Sequence, residues 1–323
     1  MKLLVVGGAG YIGSFVVRAL LEGGHEVSVL DNLSTGSIHS LDDRSRFIER
    51  ELSDPSSVLS ALRESAAERV VHCAGLGGSA SSLQDPGSTY QSVIQNGLVL
   101  LEAMQKTGCG RLVVCSSSAV YGLPEKMPVD ERTPLKPITP YGHALVVFEQ
   151  ILQWYQKIHS IGHVSLRLFN VAGATETMGE WQRSDDRLIS RMIAVALGAS
   201  ESVPVWGDSH ATPDGSAMRD FVHVVDVAEA VLNAVQDDRN GTYNIGSGEG
   251  TSVLQALDFA RKETGHAIPA RIMPPRPGEP PRLVAAFHRA KMDWHWQPKT
   301  LRFHDIFRTS WKWALAHPEI YKP

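Results

Sequence analysis

Short apolar runs recur through the first half of the chain: Leu3–Val6, Glu26–Leu30, Arg46–Glu49, Arg69–Cys73, Arg111–Cys115 and Val164–Phe169. They are rich in β-branched and aliphatic residues and lack a polar alternate face. That is the pattern of strands buried on both sides of a parallel sheet. Stretches of helical length lie between them, at 11–22, 55–66, 90–107 and 140–158. Strand and helix in this alternation predict an α/β fold with a doubly wound (Rossmann) parallel sheet.

Length and composition narrow the picture. A chain of 323 residues is long for one small core and fits a sheet domain followed by a smaller C-terminal α/β lobe. The expected division is 1–170 and 171–323, with segments near 218–245 packing back on the first domain. Apolar residues make up 43% and charged residues 20%, as in ordinary soluble globular proteins. A net charge of −4 gives no basic excess, which argues against nucleic acid or an anionic membrane as partner. The start, Met1 to Gly10, has too short an apolar stretch for a signal peptide and reads as a buried strand; a cytoplasmic location is expected. The three cysteines, Cys73, Cys109 and Cys115, fit no zinc spacing, and no metal site is expected. Cys73 and Cys115 each end an apolar run, where a free thiol packs as a small hydrophobe.

The first strand runs into Gly7-Gly8-Ala9-Gly10-Tyr11-Ile12-Gly13. Glycines at 7, 10 and 13 permit a tight turn and a close backbone approach to a pyrophosphate. The helix that opens there aims its N–H groups at that phosphate. About 20 residues on, Asp31 ends the second strand. Its carboxylate suits the two hydroxyls of an adenosine ribose and would repel a 2′-phosphate. No arginine comes close after it, so NAD is expected rather than NADP, with residues 1–170 as its domain.

The run Ser116-Ser117-Ser118-Ala119-Val120-Tyr121-Gly122, taken with the glycine turn and Tyr141, resembles the extended short-chain dehydrogenase/reductase family that acts on nucleotide sugars. The likeness covers nearly the whole chain. It includes His72–Leu76, Arg167–Ala174, Thr212–Val231, Tyr243–Val253 and Thr309–Tyr321. The resemblance implies a nucleotide-sugar epimerase in which a tyrosinate takes the proton of the sugar C4 hydroxyl while hydride passes to NAD. Tyr141 falls at the acid/base position and Ser117 at the hydroxyl that shares its proton path. Without the resemblance, Tyr141 also reads as a core aromatic and Ser117 as a strand-end cap. The implied cofactor contacts are Gly7, Gly10, Tyr11, Ile12, Gly13, Asp31, Asn32, Glu51, Leu52, Ala74, Gly75 and Tyr141.

Departures cluster on the nicotinamide side. The family carries a lysine one helical turn after the tyrosine; Leu145 stands there. Free tyrosine titrates near 10, so roughly one molecule in a thousand is ionised at neutral pH. Leucine can neither lower that value nor hold a ribose. His143, two residues on, faces away from Tyr141 around the helix and is expected at the surface. Gly77-Gly78 replace a basic residue, Val93–Gly97 replace the family's Asn-Val-x-Gly-Thr, and Glu51 replaces an aspartate. Ser118 and Ala119 stand where dehydratases of this fold carry an Asp-Glu pair, which argues against elimination.

In the second lobe the resemblance implies a nucleotide diphosphate. Asn170 matches a sugar or diphosphate ligand, and Arg219 and Arg276 match two clamping arginines whose planar forks suit phosphate. Glu279 matches an acid that binds the nucleotide ribose, with Trp206 and Phe221 beside the base. Arg187, after Asp186 and before Leu188, is either an added phosphate ligand or a solvated helix-start charge. Arg219 also reads as a core ion pair with Asp220 or a neighbour, and Arg276 as a solvated arginine. A position that gates sugar size falls at Leu283. The expected function is NAD-dependent epimerisation of a UDP-linked sugar, as a homodimer. The alternatives are a nucleotide-sugar binder without turnover, or non-redox chemistry on such a sugar.

Overall fold

The aliphatic runs pair side by side as parallel strands. The computed structural model describes residues 1–75, 78–182, 184 and 187–321. Strands β1 (Lys2–Val6), β2 (Glu26–Asp31), β3 (Arg46–Glu49), β4 (Arg69–His72), β5 (Arg111–Ser117) and β6 (Gly162–Leu168) coincide with the expected runs. A further strand, β10 (Gly241–Ile245), completes a seven-stranded sheet of order β10-β6-β5-β4-β1-β2-β3. The order reverses direction between β1 and β4. Ligands of open parallel sheets bind at such a switch point, beyond the carboxyl ends of the strands.

Helices cover both faces because the strands are apolar on both. One layer holds α1 (Tyr11–Glu22) and α8 (Val224–Gln236), packed on Leu3, Val5, Val27 and Val29. The other holds α2 (Pro55–Ser65), α5 (Asn96–Thr107) and α6 (Pro140–His159), packed on Leu4, Val6, Leu30 and Leu112. Thr139 caps α6 by accepting from Gly142 N at 3.1 Å, and Pro140 supplies the preset first turn.

The stretch expected to be helical, 90–107, is helical throughout but carries one π turn. Short helices α3 (Ser79–Gln84) and α4 (Pro86–Tyr90) lead into a π turn, Gln91–Gln95, before α5 begins. A π turn inserts a residue and so shifts the register of α5 against the sheet. Gly97 then lies flat on Phe148, where a Cβ would come within 2.3 Å of the ring.

A second, smaller sheet is built around β9 (Met218–His223). It pairs with β7 (Asn170–Ala172), β11 (Gly250–Ser252) and β13 (Arg282–Leu283). A separate pair joins β8 (Val203–Trp206) to β12 (Ala270–Met273). Helices α7 (Leu188–Ala196), α9 (Val253–Thr264) and α11 (Phe303–Ala316) enclose Met192, Ile193, Val205, Leu257 and Phe307. On α11 the buried positions 303, 306, 307, 310 and 314 keep helical spacing. Each large side chain there contributes about 1.5–3 kcal/mol of burial. The short helix α10 (His288–Trp294) lies beside β10.

Two buried imidazoles make the fold acid-sensitive. Burial pulls His72 and His223 down to about 4. An unfolded chain takes up these protons near pH 6.5, the folded one only near pH 4. The stability tied to the neutral rings is therefore fully present above roughly pH 6.5 and is lost as pH falls toward 4. His72 is buried against Phe148 with Nδ1 lacking a partner among the described residues. His72→Leu should shrink the loss of stability across that window by about 3 kcal/mol. Denaturant midpoints at each end measure it, and an unchanged pH slope would remove His72 from the account.

Candidate active site

Two cavities, of about 550 and 400 Å³, open beyond the carboxyl ends of the sheet. Tyr11, Ile12, Glu180, Ser184 and Arg187 line both, so they form one cleft. Their sizes are those of cofactor and ligand sites.

The larger cavity is built by the first strand-to-helix turn. Gly7 has φ +79°, and a Cβ there would lie 2.6 Å from Ala74 N; one on Gly13 would lie 2.0 Å from Gly7 O. Only glycine lets this backbone close up and still face a ligand. The N-terminus of α1 carries no side-chain cap and no acid in its first turn, which leaves N–H groups for an anion. Asp31 Oδ2 accepts from Ala9 N at 3.0 Å and Oδ1 from Leu33 N at 2.9 Å, so its carboxylate is fixed against the glycine turn. Asn32 donates to Glu51 at 3.0 Å, beside Leu52. Gly7, Gly10, Tyr11, Ile12, Gly13, Asp31, Asn32, Glu51, Leu52, Ala74 and Gly75 all line this cavity. The cradle that a Cβ would fill and the fixed acid at the end of β2 fit an adenine dinucleotide.

Ser92 and Asn96, from the π turn and the start of α5, also line the larger cavity. In the sequence Val93–Gly97 stands out only as a departure from the family pattern; the polar Ser92 before it and Asn96 within it are the available signal. Leu76, Gly77 and Asp186 lie outside the described residues.

Tyr141 and Ser117 line the smaller cavity together, with the Ser117 hydroxyl near enough to the phenol to act on its ionisation. Ser117 Oγ also accepts from Ala119 N at 3.2 Å. Burial pushes the Tyr141 phenol well above its usual range, Ser117 partly offsets this, and Cys115 adds to it. Leu145 is buried in the core with Tyr141 and Phe148. His143 is exposed and bonds through Nδ1 to Tyr90 at 3.1 Å, away from the cavity. Cys73 and Cys115 are buried free thiols.

Asn170, Arg187, Leu188, Trp206, Arg219, Phe221, Arg276 and Glu279 line the same cavity as Tyr141. Arg219 is buried and donates to Glu279 Oε1 at 2.7 Å and Met218 O at 2.8 Å. Asp220 instead accepts from Ser247 N, Gly248 N and Ala285 N. Arg276 stacks over Trp206 at 4.5 Å. Leu283 is buried in β13, beside Arg219 of β9.

Arg187 is not a freely solvated charge. It pairs with Glu180 and lies 5.1 Å over the Tyr11 ring, whose hydroxyl donates to Gly173 O at 2.5 Å. Burial raises the Glu180 carboxyl, and Arg187 opposes that. Glu180 is silent in the sequence because nothing in its local pattern marks a cleft residue.

Comparison with known proteins agrees with this geometry. Residues 3–246 match the NAD dependent epimerase/dehydratase family. The chain is 36% identical to the UDP-glucose 4-epimerase of Lactobacillus helveticus over 100% of its own length and 99% of that protein. It is 37% identical to the enzyme of the same name from Corynebacterium glutamicum, covering 98% and 96%. The crystal structure of UDP-glucose 4-epimerase from Bifidobacterium longum in complex with NAD+ and UDP superposes with TM-score 0.94, at 31% identity over 99% and 100% of the chains. The fold and cleft define a dinucleotide-binding protein of the epimerase class. The chain belongs to the NAD dependent epimerase/dehydratase family.

Proposed function

We propose that this protein is an NAD-dependent epimerase of UDP-hexoses, acting at the sugar C4 through Tyr141 and Ser117. The juxtaposition of Tyr141 and Ser117 at the wall of a cleft shared with the dinucleotide cradle carries the reading. Bound NAD supplies the redox chemistry at C4. Gly7, Gly10 and Gly13 would admit its pyrophosphate, and Asp31 its adenosine ribose.

The chain's own residues handle the proton and the tail. Tyr141 takes the proton from the C4 hydroxyl and returns it, with Ser117 as the relay between sugar and phenol. Arg219 and Arg276 hold the diphosphate, Trp206 packs beside the base, and Glu279 faces the nucleotide ribose. Leu188 and Asn170 close the sugar end. Arg187, at the junction of both cavities, adds charge near the two diphosphates. Subunit pairing through α5 and α6 is part of this reading, supported by the exposed Trp154 and Ile158 one turn apart on α6. Among the described residues no helix is long and apolar enough to cross a membrane.

Leu145 occupies the position of the family lysine, so no ammonium lies one turn from the phenol. Leucine does not counter the burial that suppresses Tyr141 ionisation, Ser117 offsets it only in part, and turnover is expected to be slow. Leu145→Lys should raise kcat by about tenfold for each unit by which it lowers the phenol's pKa. Initial rates of UDP-hexose interconversion measure this; a variant that folds and binds NAD but is no faster would exclude the lysine argument. The buried leucine is also what favours the second reading, a nucleotide-sugar binder without turnover. The deciding experiment is assay of NAD in the purified protein, then proton NMR of UDP-glucose, UDP-galactose and their N-acetyl and uronic-acid relatives. Interconversion of any pair supports the enzyme. Binding of NAD and UDP with no change in any sugar supports the binder.

A further inference from the structure

The serines that end β5 do different things. Ser117 meets Tyr141, whereas Ser116 Oγ donates to Glu149 Oε1 at 2.7 Å. Glu149 lies on α6, eight residues and thus about two turns after Tyr141, on the same stripe as Leu145. Arg167, opposite Ser116 in the β5–β6 register, grips Glu149 through Nε at 3.2 Å and Nη2 at 2.6 Å. Its Nη1 donates to Tyr121 Oη at 2.9 Å, and that hydroxyl donates to Asn244 Oδ1 at 2.7 Å. Asn244 Nδ2 in turn donates to Val129 O at 3.0 Å.

The Arg167 and Glu149 side chains are 5% and 8% exposed. Ion pairs this deep add little net stability over apolar residues of the same volume, because both charges lose their water. Stability alone does not account for the pair. What it does geometrically is tie the strand that carries Ser117 to the helix that carries Tyr141. Leu145, between them on the stripe, offers no polar hold.

We infer that the Glu149–Arg167 pair is a positioning element for the reaction. Through Ser116 it fixes β5 relative to α6, and so fixes where Ser117 stands against Tyr141. This rests on the assignment of Tyr141 and Ser117 proposed above.

Ser116→Ala cuts the link to β5 and leaves the ion pair whole. It should lower kcat by roughly ten- to a hundredfold, with KM for the UDP-sugar, NAD content and Tm nearly unchanged. In protein labelled with 13Cζ-tyrosine, the Tyr141 resonance, assigned by its loss in Tyr141→Phe, should shift. Ser165→Ala, on the neighbouring strand and lacking a side-chain partner among the described residues, should change neither. If Ser116→Ala does not fold, Ser116→Cys weakens the same link to Glu149 with little change in volume and gives the same readouts. An unmoved Tyr141 resonance with kcat within twofold of wild type overturns the inference, as does a fall in Tm alone. If wild-type turnover is below detection, the resonance decides. Should Tyr141→Phe retain activity, the assignment of Tyr141 fails instead, which separates the two claims.

Discussion

Tyr141→Phe should lower epimerase turnover by about 10²–10⁴-fold, the usual contribution of a positioned acid/base. The fold should survive. The ring stays in its buried slot, and the phenol loses only its interaction with Ser117 among the described residues. Ser117 Oγ keeps its bond from Ala119 N. A stability change within about 1 kcal/mol is expected, with NAD and UDP binding intact. Rates measured on NAD-loaded protein, with UDP titrated by calorimetry, check the pair of outcomes. Turnover equal to wild type would remove Tyr141 from the chemistry, and loss of UDP binding would make it a structural residue.

The second large effect is on affinity. Arg219→Met keeps the stem and removes the guanidinium. On the proposed placement the diphosphate then loses a buried fork, and Glu279 loses its cation. Removing one partner of such a charged pair costs about 2–5 kcal/mol. UDP should therefore bind on the order of 10²–10³-fold more weakly, while NAD content stays the same. Glu279→Gln should be far milder, because Arg219 keeps its charge and its bond to Met218 O. Equal UDP affinity in Arg219→Met and wild type would show that the diphosphate sits elsewhere.

The dinucleotide half of the cleft was legible because its signals are local. Gly7, Gly10 and Gly13 lie on one turn, and Asp31 ends the next strand. The apolar runs that carry them read as strands whatever the rest of the chain does. What stayed hidden depends on distant partners. β10 carries the polar Thr242 and Asn244 and becomes a strand of the main sheet only by pairing with β6. Arg219 could be read with Asp220, yet successive side chains on a strand point to opposite faces. Asp220 therefore serves the backbone of Ser247, Gly248 and Ala285, and Arg219 finds Glu279 across the cleft. Glu180 and the Ser116–Glu149–Arg167 chain likewise join residues far apart in sequence.

The proposed reaction is reversible chemistry at C4 of a UDP-hexose. It is tested most directly by incubating the NAD-loaded protein with UDP-galactose in deuterium oxide and monitoring the proton spectrum. Slow growth of UDP-glucose signals with the C4 proton retained is expected, and none of this with Tyr141→Phe. A spectrum that never changes while NAD and UDP-galactose remain bound, or a product that takes deuterium at C4, would contradict it.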